Sequence, residues 1–245
     1  MSKKYPQQPE EIFDEYLGDW RTIYATEVEA IIFYGSGARG EYVPGESDLN
    51  FLIVLSDTAI NHLRKAVELS EKWRTRAQVA PLVVTRKYIQ DSLDSYSIEF
   101  LHMKMHYRVL LGADVLAELK IESRDLRLEL ERELKGKLLH LRKGFLDHGY
   151  DRDELKQMIH LTIRGFLPLF EAFLFLKQEA IPSTRKEIFQ KVAQAAPLEP
   201  GFINEIFRAM ESEARPYREE LWGVMEAYIA QIAKLVQVVD AMTIT

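Results

Sequence analysis

The 245-residue chain contains no cysteine, which excludes disulfides, thiolate zinc sites and cysteine nucleophiles together. It also lacks an excess of positive charge. Thirty-two Lys and Arg stand against 38 Asp and Glu, for a formal net charge of -6 and a sequence pI near 5.6. Without a global basic footprint, bulk nucleic acid is not the expected partner. Long hydrophobic runs are absent too: the most apolar stretch, Gly165 to Leu176, falls short of the roughly 20 residues a span needs and carries Glu171, so it reads as a buried helix. Lys3 and Lys4 are followed by Tyr5-Pro6-Gln7-Gln8-Pro9, not by the apolar core of a signal peptide. These absences point to the cytoplasm and to no membrane partner.

What is present is enough apolar material, 47% of residues, for real cores in one or two domains. The first half alternates helical and strand signals. The spacing predicts a helix over Glu10–Glu27, strands over Ala30–Tyr34 and Leu49–Leu55, a helix over Thr58–Ala77, a strand over Val79–Thr85, and a further strand over Tyr107–Gly112. Strand signals then vanish. Ser123–Asp147, Asp151–Gln178, Ser183–Ala195, Gly201–Glu213 and Pro216–Ala241 show apolar residues at helical spacing, with turns at Gly149, Pro182, Pro197, Pro200 and Pro216. The expected architecture is α+β: a small mixed sheet flanked by helices over residues 1–118, then an antiparallel all-α bundle over 119–245, with the apolar second helix at its centre.

The chemistry concentrates in Ile31-Ile32-Phe33-Tyr34-Gly35-Ser36-Gly37-Ala38-Arg39-Gly40 and, after Pro44-Gly45-Glu46, in Ser47-Asp48-Leu49-Asn50. A strand running into Gly35-Ser36-Gly37 is a phosphate-type turn, in which glycines free backbone N–H groups for an anion. Asp48 and Asn50, two apart at the start of the second strand, present their side chains on one side, as a metal site requires. Asn50 brings no charge, however, and Mg2+ prefers anionic oxygens. Turn and pair meet only if the two strands run antiparallel, as neighbours or near neighbours. Gly35, Gly37 and Gly40 also spell G-x-G-x-x-G with Asp57 about 20 residues on, as in dinucleotide-binding units, but Pro44-Gly45 leaves no room for the crossover helix. Read without a ligand, Gly-Ser-Gly is a tight turn and Ser47-Asp48 shapes a loop.

Gly35-Ser36, a spacer of eleven residues and Asp48-x-Asn50 between apolar strands resemble the signature of the DNA polymerase β-like nucleotidyltransferase superfamily. The segments Ala38-Arg39-Gly40-Glu41 and Ser47-Asp48 are similar to its bacterial minimal and kanamycin-type branch, whose members pair a small α/β domain with a helical bundle. The resemblance implies that Gly35, Ser36, Gly37, Arg39 and Ser47 hold a nucleoside triphosphate, that Asp48 is catalytic, and that Asp48 and Asn50 lie where Mg2+ binds. It implies Mg2+-dependent transfer of a nucleoside monophosphate to a small-molecule or protein hydroxyl. The pattern's second carboxylate is replaced by Asn50, and its third should fall within Ala80-Pro81-Leu82-Val83-Val84-Thr85, which has no acid. The alternative is a degenerate, non-catalytic member that binds nucleotide or a regulatory partner chain. A bundle surface suits a homodimer as well as an acceptor.

Three further patterns are weaker. Arg142 and His148 are spaced as in the R-x4-6-H motif of HEPN ribonucleases, to which such bundles are similar, although a terminal His beside Gly149 is more often a helix-end partner. Glu99, His102 and His106 have a spacing that would align metal ligands on a helix, against a packing role suggested by Phe100, Leu101 and Met103. Arg164, Phe166, Phe170, Glu171 and Phe173 admit a pocket reading, against core packing for the phenylalanines.

Overall fold

The computed structural model describes residues 5–210 and 216–243. The chain divides into two compact units, Met1–Ile121 and Glu122–Thr245.

The first unit is a three-layer α/β arrangement. Strands β1 (Val28–Tyr34), β2 (Leu49–Leu55), β3 (Val79–Val84) and β4 (Tyr107–Gly112) form a four-stranded sheet in the order β3-β2-β1-β4. β1 runs antiparallel to both β2 and β4, and β3 is parallel to β2, so the sheet is mixed. The two central strands are apolar without interruption over Ala30–Phe33 and Phe51–Leu55 because both of their faces are covered there. Ile31, Phe33, Phe51 and Ile53 face one core; Ala30, Ile32, Leu52 and Val54 face the other. Pro81 lies in β3, an edge strand, where a missing N–H is tolerated.

The first core is covered by α1 (Phe13–Tyr24) and α3 (Val67–Ala77). Phe13, Tyr16, Trp20 and Tyr24 recur at helical spacing along α1, and Leu69, Trp73 and Ala77 along α3. Their rings interlock with the sheet: Tyr16 lies 4.3 Å from Phe51 and 5.3 Å from Trp73, and Phe13 lies 5.1 Å from Phe33, centroid to centroid. The helix expected over Glu10–Glu27 has α1 as its body, with 3-10 turns at Pro9–Ile12 and Ala25–Glu27. The helix expected over Thr58–Ala77 is 3-10 over Ala59–Ala66, kinked by non-helical backbone at His62, and α-helical only from Val67. The second core is closed by Ile89 of α4 (Arg86–Asp91), Phe100 and Met103 of α5 (Ser97–Met105), and Leu116 after β4. A short helix, α2 (Ser36–Arg39), follows β1.

The second unit is helical throughout its described residues: α6 (Ser123–His148), α7 (Arg152–Leu176), α8 (Arg185–Ala195), α9 (Pro200–Met210) and α10 (Arg218–Asp240). Residues 211–213 of the helix expected to reach Glu213 lie outside the described residues. Helix α7 is central, packing against α6, α8, α9 and α10. It is long and apolar enough to cross a membrane by length and composition, and 56% of its most apolar window is buried within the protein. Phe166, Phe170, Tyr228 and Phe189 form its aromatic core, with the Phe170 and Phe189 rings 4.4 Å apart. Helices α6 and α10 run antiparallel. The Arg127 guanidinium at the start of α6 donates to the Val239 carbonyl at the end of α10 (3.0 Å), and Trp222 Nε1 near the start of α10 donates to the Gly149 carbonyl beyond α6 (2.6 Å). Asp151 caps α7, accepting from the N–H groups of Asp153 and Glu154.

Helices α1 and α3 are also tied by charge. Glu15 accepts from Arg76 (2.6 Å) and Lys72 (3.0 Å), Asp19 accepts from Lys72 and from Trp73 Nε1, and both cations lie over the Trp73 ring. Arg76 and Lys72 hold the Glu15 carboxyl down to about 2, from an ordinary 4.5. A depressed carboxylate stabilises the fold above its unfolded value and loses that contribution as pH falls through the folded one. Glu15→Gln should therefore unfold more easily than wild type at pH 6, by a modest and salt-sensitive margin because the partners are half exposed. The two thermal midpoints should converge by about pH 2. Equal midpoints at pH 6 would show that this tie contributes nothing.

Candidate functional site

The antiparallel pairing of β1 and β2 sets Tyr34 opposite Asn50, so the glycine turn that ends one strand meets the polar residues that begin the other. Gly35 has φ of +79°, in the region glycine tolerates best, and its amide donates to the His106 carbonyl (3.2 Å) just before β4. A methyl built on Gly35 would come within 3.1 Å of Asn50 Nδ2. The turn and Asn50 are thus in direct contact. Alternation along β2 puts Asn50 on the same face as Leu52 and Val54, while Asp48 directly precedes the strand and is exposed.

The remaining expected residues differ in what occupies them. Ser36 opens α2 half-buried, its carbonyl accepting from Glu41 N–H (2.9 Å). Gly37 has a packing reason to be glycine: an added Cβ would lie 2.4 Å from Cζ of Phe33, itself buried against Phe13 and Phe51. Arg39 ends α2 half-buried and already interacts with other groups of the protein. The Ser47 hydroxyl oxygen accepts from Val43 N–H (3.0 Å) while Ser47 N–H donates to the Val43 carbonyl (3.0 Å), closing the loop before Asp48.

The donor set does not fit a two-metal centre. Asp48 is one carboxylate, Asn50 is an amide, and β3 presents Ala80 in register with Asn50 and no acid along its length. Among the described residues no group of three or more His, Asp or Glu is placed to hold a metal ion. Glu99, His102 and His106 do not supply one, because α5 ends at Met105 and His106 is extended, which breaks the helical phase.

Two tyrosines not singled out from the sequence flank the turn. Tyr34 pairs with Asn50 on one side and Tyr107 on the other, and both rings pack on the second core. Burial pushes the Tyr34 phenol up to about 12. The Tyr107 hydroxyl donates to Asp114 Oδ2 (2.9 Å). A Tyr directly before the glycine turn was a signal in the sequence; Tyr107 joins it only through strand pairing.

In the helical unit, His148 Nδ1 lies 3.0 Å from Glu154 Oε2 at the start of α7, and the histidine serves as a helix-end partner. Arg142, six residues earlier, points about 120° away around the helix. Phe166, Phe170 and Phe173 are core residues and Glu171 is fully buried, while Arg164 is exposed. The core-packing alternative holds for the three phenylalanines, and along α7 Arg164 is turned to solvent and Glu171 to the interior.

Residues 14–106 match the family model described as nucleotidyltransferase domain. The matched segment runs from α1 to the end of α5 and contains the turn, Asp48 and Asn50. The match thus falls within the first unit. No curated protein matches the chain. Among solved structures, spectinomycin adenyltransferase AAD(9) from Enterococcus faecialis, determined with ATP and spectinomycin, aligns at a TM-score of 0.49 and 14% identity, over 90% of this chain and 99% of that one. A likeness at that level bears on neither substrate nor mechanism.

Gly37→Ala should cost about 1–3 kcal/mol in chemical denaturation, because the new methyl overpacks against the Phe33 ring. In a Phe33→Leu background the same change should be nearly silent. Equal costs in the two backgrounds would mean that Gly37 is not constrained by the ring.

Proposed function

We propose that the nucleotidyltransferase domain works as a nucleotide-binding module that has kept the phosphate-holding turn and lost two-metal catalysis. The observation that carries this reading is the pairing of an intact Gly35-Ser36 turn with a single carboxylate, Asp48, where the clamping of attacking and leaving oxygens by two ions needs several anionic ligands. Gly35 and Ser36 contact the phosphates, Arg39 and Ser47 support the loop around them, and the helical unit serves as the partner-binding or regulatory surface. A second copy of the chain is one partner that such a surface accommodates.

A second reading is favoured by one observation, an exposed Asp48 directly before the strand that carries Asn50. In that reading the domain transfers a nucleoside monophosphate from a triphosphate to a hydroxyl on a small molecule or protein, with Asp48 as the catalytic metal ligand.

Calorimetric titration with ATP, GTP, CTP and UTP, with pyrophosphate measured in the same samples, separates the two. The module reading expects saturable binding of at least one nucleotide, weakened about tenfold or more by Gly35→Ala, with no pyrophosphate above a protein-free control; tenfold corresponds to about 1.4 kcal/mol. Pyrophosphate release abolished by Asp48→Ala would establish transfer instead. Binding that Gly35→Ala leaves unchanged would move the nucleotide away from the turn.

A further inference from the structure

We infer that this site takes the nucleotide as a metal-free anion, with the Asn50 amide standing where a metal-binding carboxylate would be. The inference rests on the nucleotide-binding reading and adds the ionic state of the ligand.

The argument begins with which atom of Asn50 faces the turn. A methyl on Gly35 would lie 3.1 Å from Nδ2 but 3.9 Å from Cγ, so the amide nitrogen is the group nearest the glycine. An amide nitrogen has two N–H donors and no lone pair to give. The nitrogen cannot ligate a hard cation but donates readily to a phosphate oxygen, and the amide oxygen, which could ligate one, lies farther from the glycine turn. A carboxylate at this position would do the reverse, recruiting Mg2+ and repelling a bare triphosphate. The neighbouring Ser36 hydroxyl can also donate.

The opposing charges are equally specific. Asp48 is exposed directly before β2, Glu41 and Glu46 lie in the loop that leads to it, and Arg39 is the basic residue of the α2 turn. One exposed carboxylate does not assemble a magnesium site, because Mg2+ keeps its waters unless anionic ligands surround it. Magnesium already bound to a triphosphate withdraws charge from the oxygens that would accept from Asn50 and Ser36. The site therefore discriminates against the magnesium complex, and residue 50 sets the sign of that discrimination.

The test measures ATP affinity of the full-length protein by calorimetry in EDTA and in excess Mg2+, for wild type and for Asn50→Asp. The expected result is that wild type binds ATP in EDTA at least as tightly as with Mg2+, while Asn50→Asp reverses the order, with a change in the Mg2+/EDTA affinity ratio of about tenfold or more. Circular dichroism of the near-isosteric variant checks its fold, and the wild-type comparison stands without any variant. Wild-type binding that requires Mg2+ would overturn the metal-free inference and leave the nucleotide-binding reading intact. An unchanged ratio in folded Asn50→Asp would remove residue 50 as its cause. Absence of ATP binding in both buffers, repeated with GTP, CTP and UTP, would overturn both.

Discussion

The antiparallel contact between β1 and β2 is the constraint on which the rest of the first unit depends. It places Tyr34 against Asn50 and folds a turn and a strand start, more than ten residues apart in sequence, into one site. What holds the register is burial on both faces. A slip by one residue would exchange the side chains that face the two cores, moving Phe33 and Phe51 out of the aromatic cluster they share with Phe13, Tyr16 and Trp73. The packing that stabilises the sheet is therefore also what aims the glycine turn, and Phe33 does both, filling the core and setting the room beneath Gly37.

The same economy gives the site its character. Two of its glycines are glycine for different physical reasons, backbone conformation at Gly35 and steric room at Gly37, and neither reason requires catalysis. A turn maintained in this way can persist while the metal ligands around it change. Asn50 beside the turn and an acid-free β3 leave, within the segment that matches the nucleotidyltransferase model, a single exposed carboxylate just before β2.

In the helical unit, polar residues that attract attention in the sequence are absorbed by structure. His148 meets Glu154 across the turn from α6 to α7, and Glu171 is fully buried. Arg127 and Trp222 satisfy carbonyls at opposite ends of the α6–α10 pair, tying the long helices where each would otherwise expose unsatisfied backbone. These are assignments that a one-dimensional spacing rule cannot make, since i, i+6 and i, i+7 patterns say which residues are near along a helix and not which neighbour each one meets.

Much of the fold was legible because periodicity is a local property. The limits of β2, the aromatic stripe of α1, the centrality of α7 and the antiparallel β1–β2 pair all follow from spacing, burial and the absence of a crossover helix. Local signals failed where neighbours outweigh them, as in the 3-10 segment before α3 and the extended His106 whose carbonyl is taken by Gly35. The chain itself determined that Gly35, Ser36, Asp48 and Asn50 were available and that neither position 50 nor the segment Ala80–Thr85 carries an acid, because composition and order are one-dimensional facts. Only the tertiary structure decided that the Asn50 nitrogen lies against the glycine turn, that Gly37 makes way for Phe33, and that Tyr107 stands beside Tyr34, because those contacts arise between strands and loops that only the packed sheet brings together.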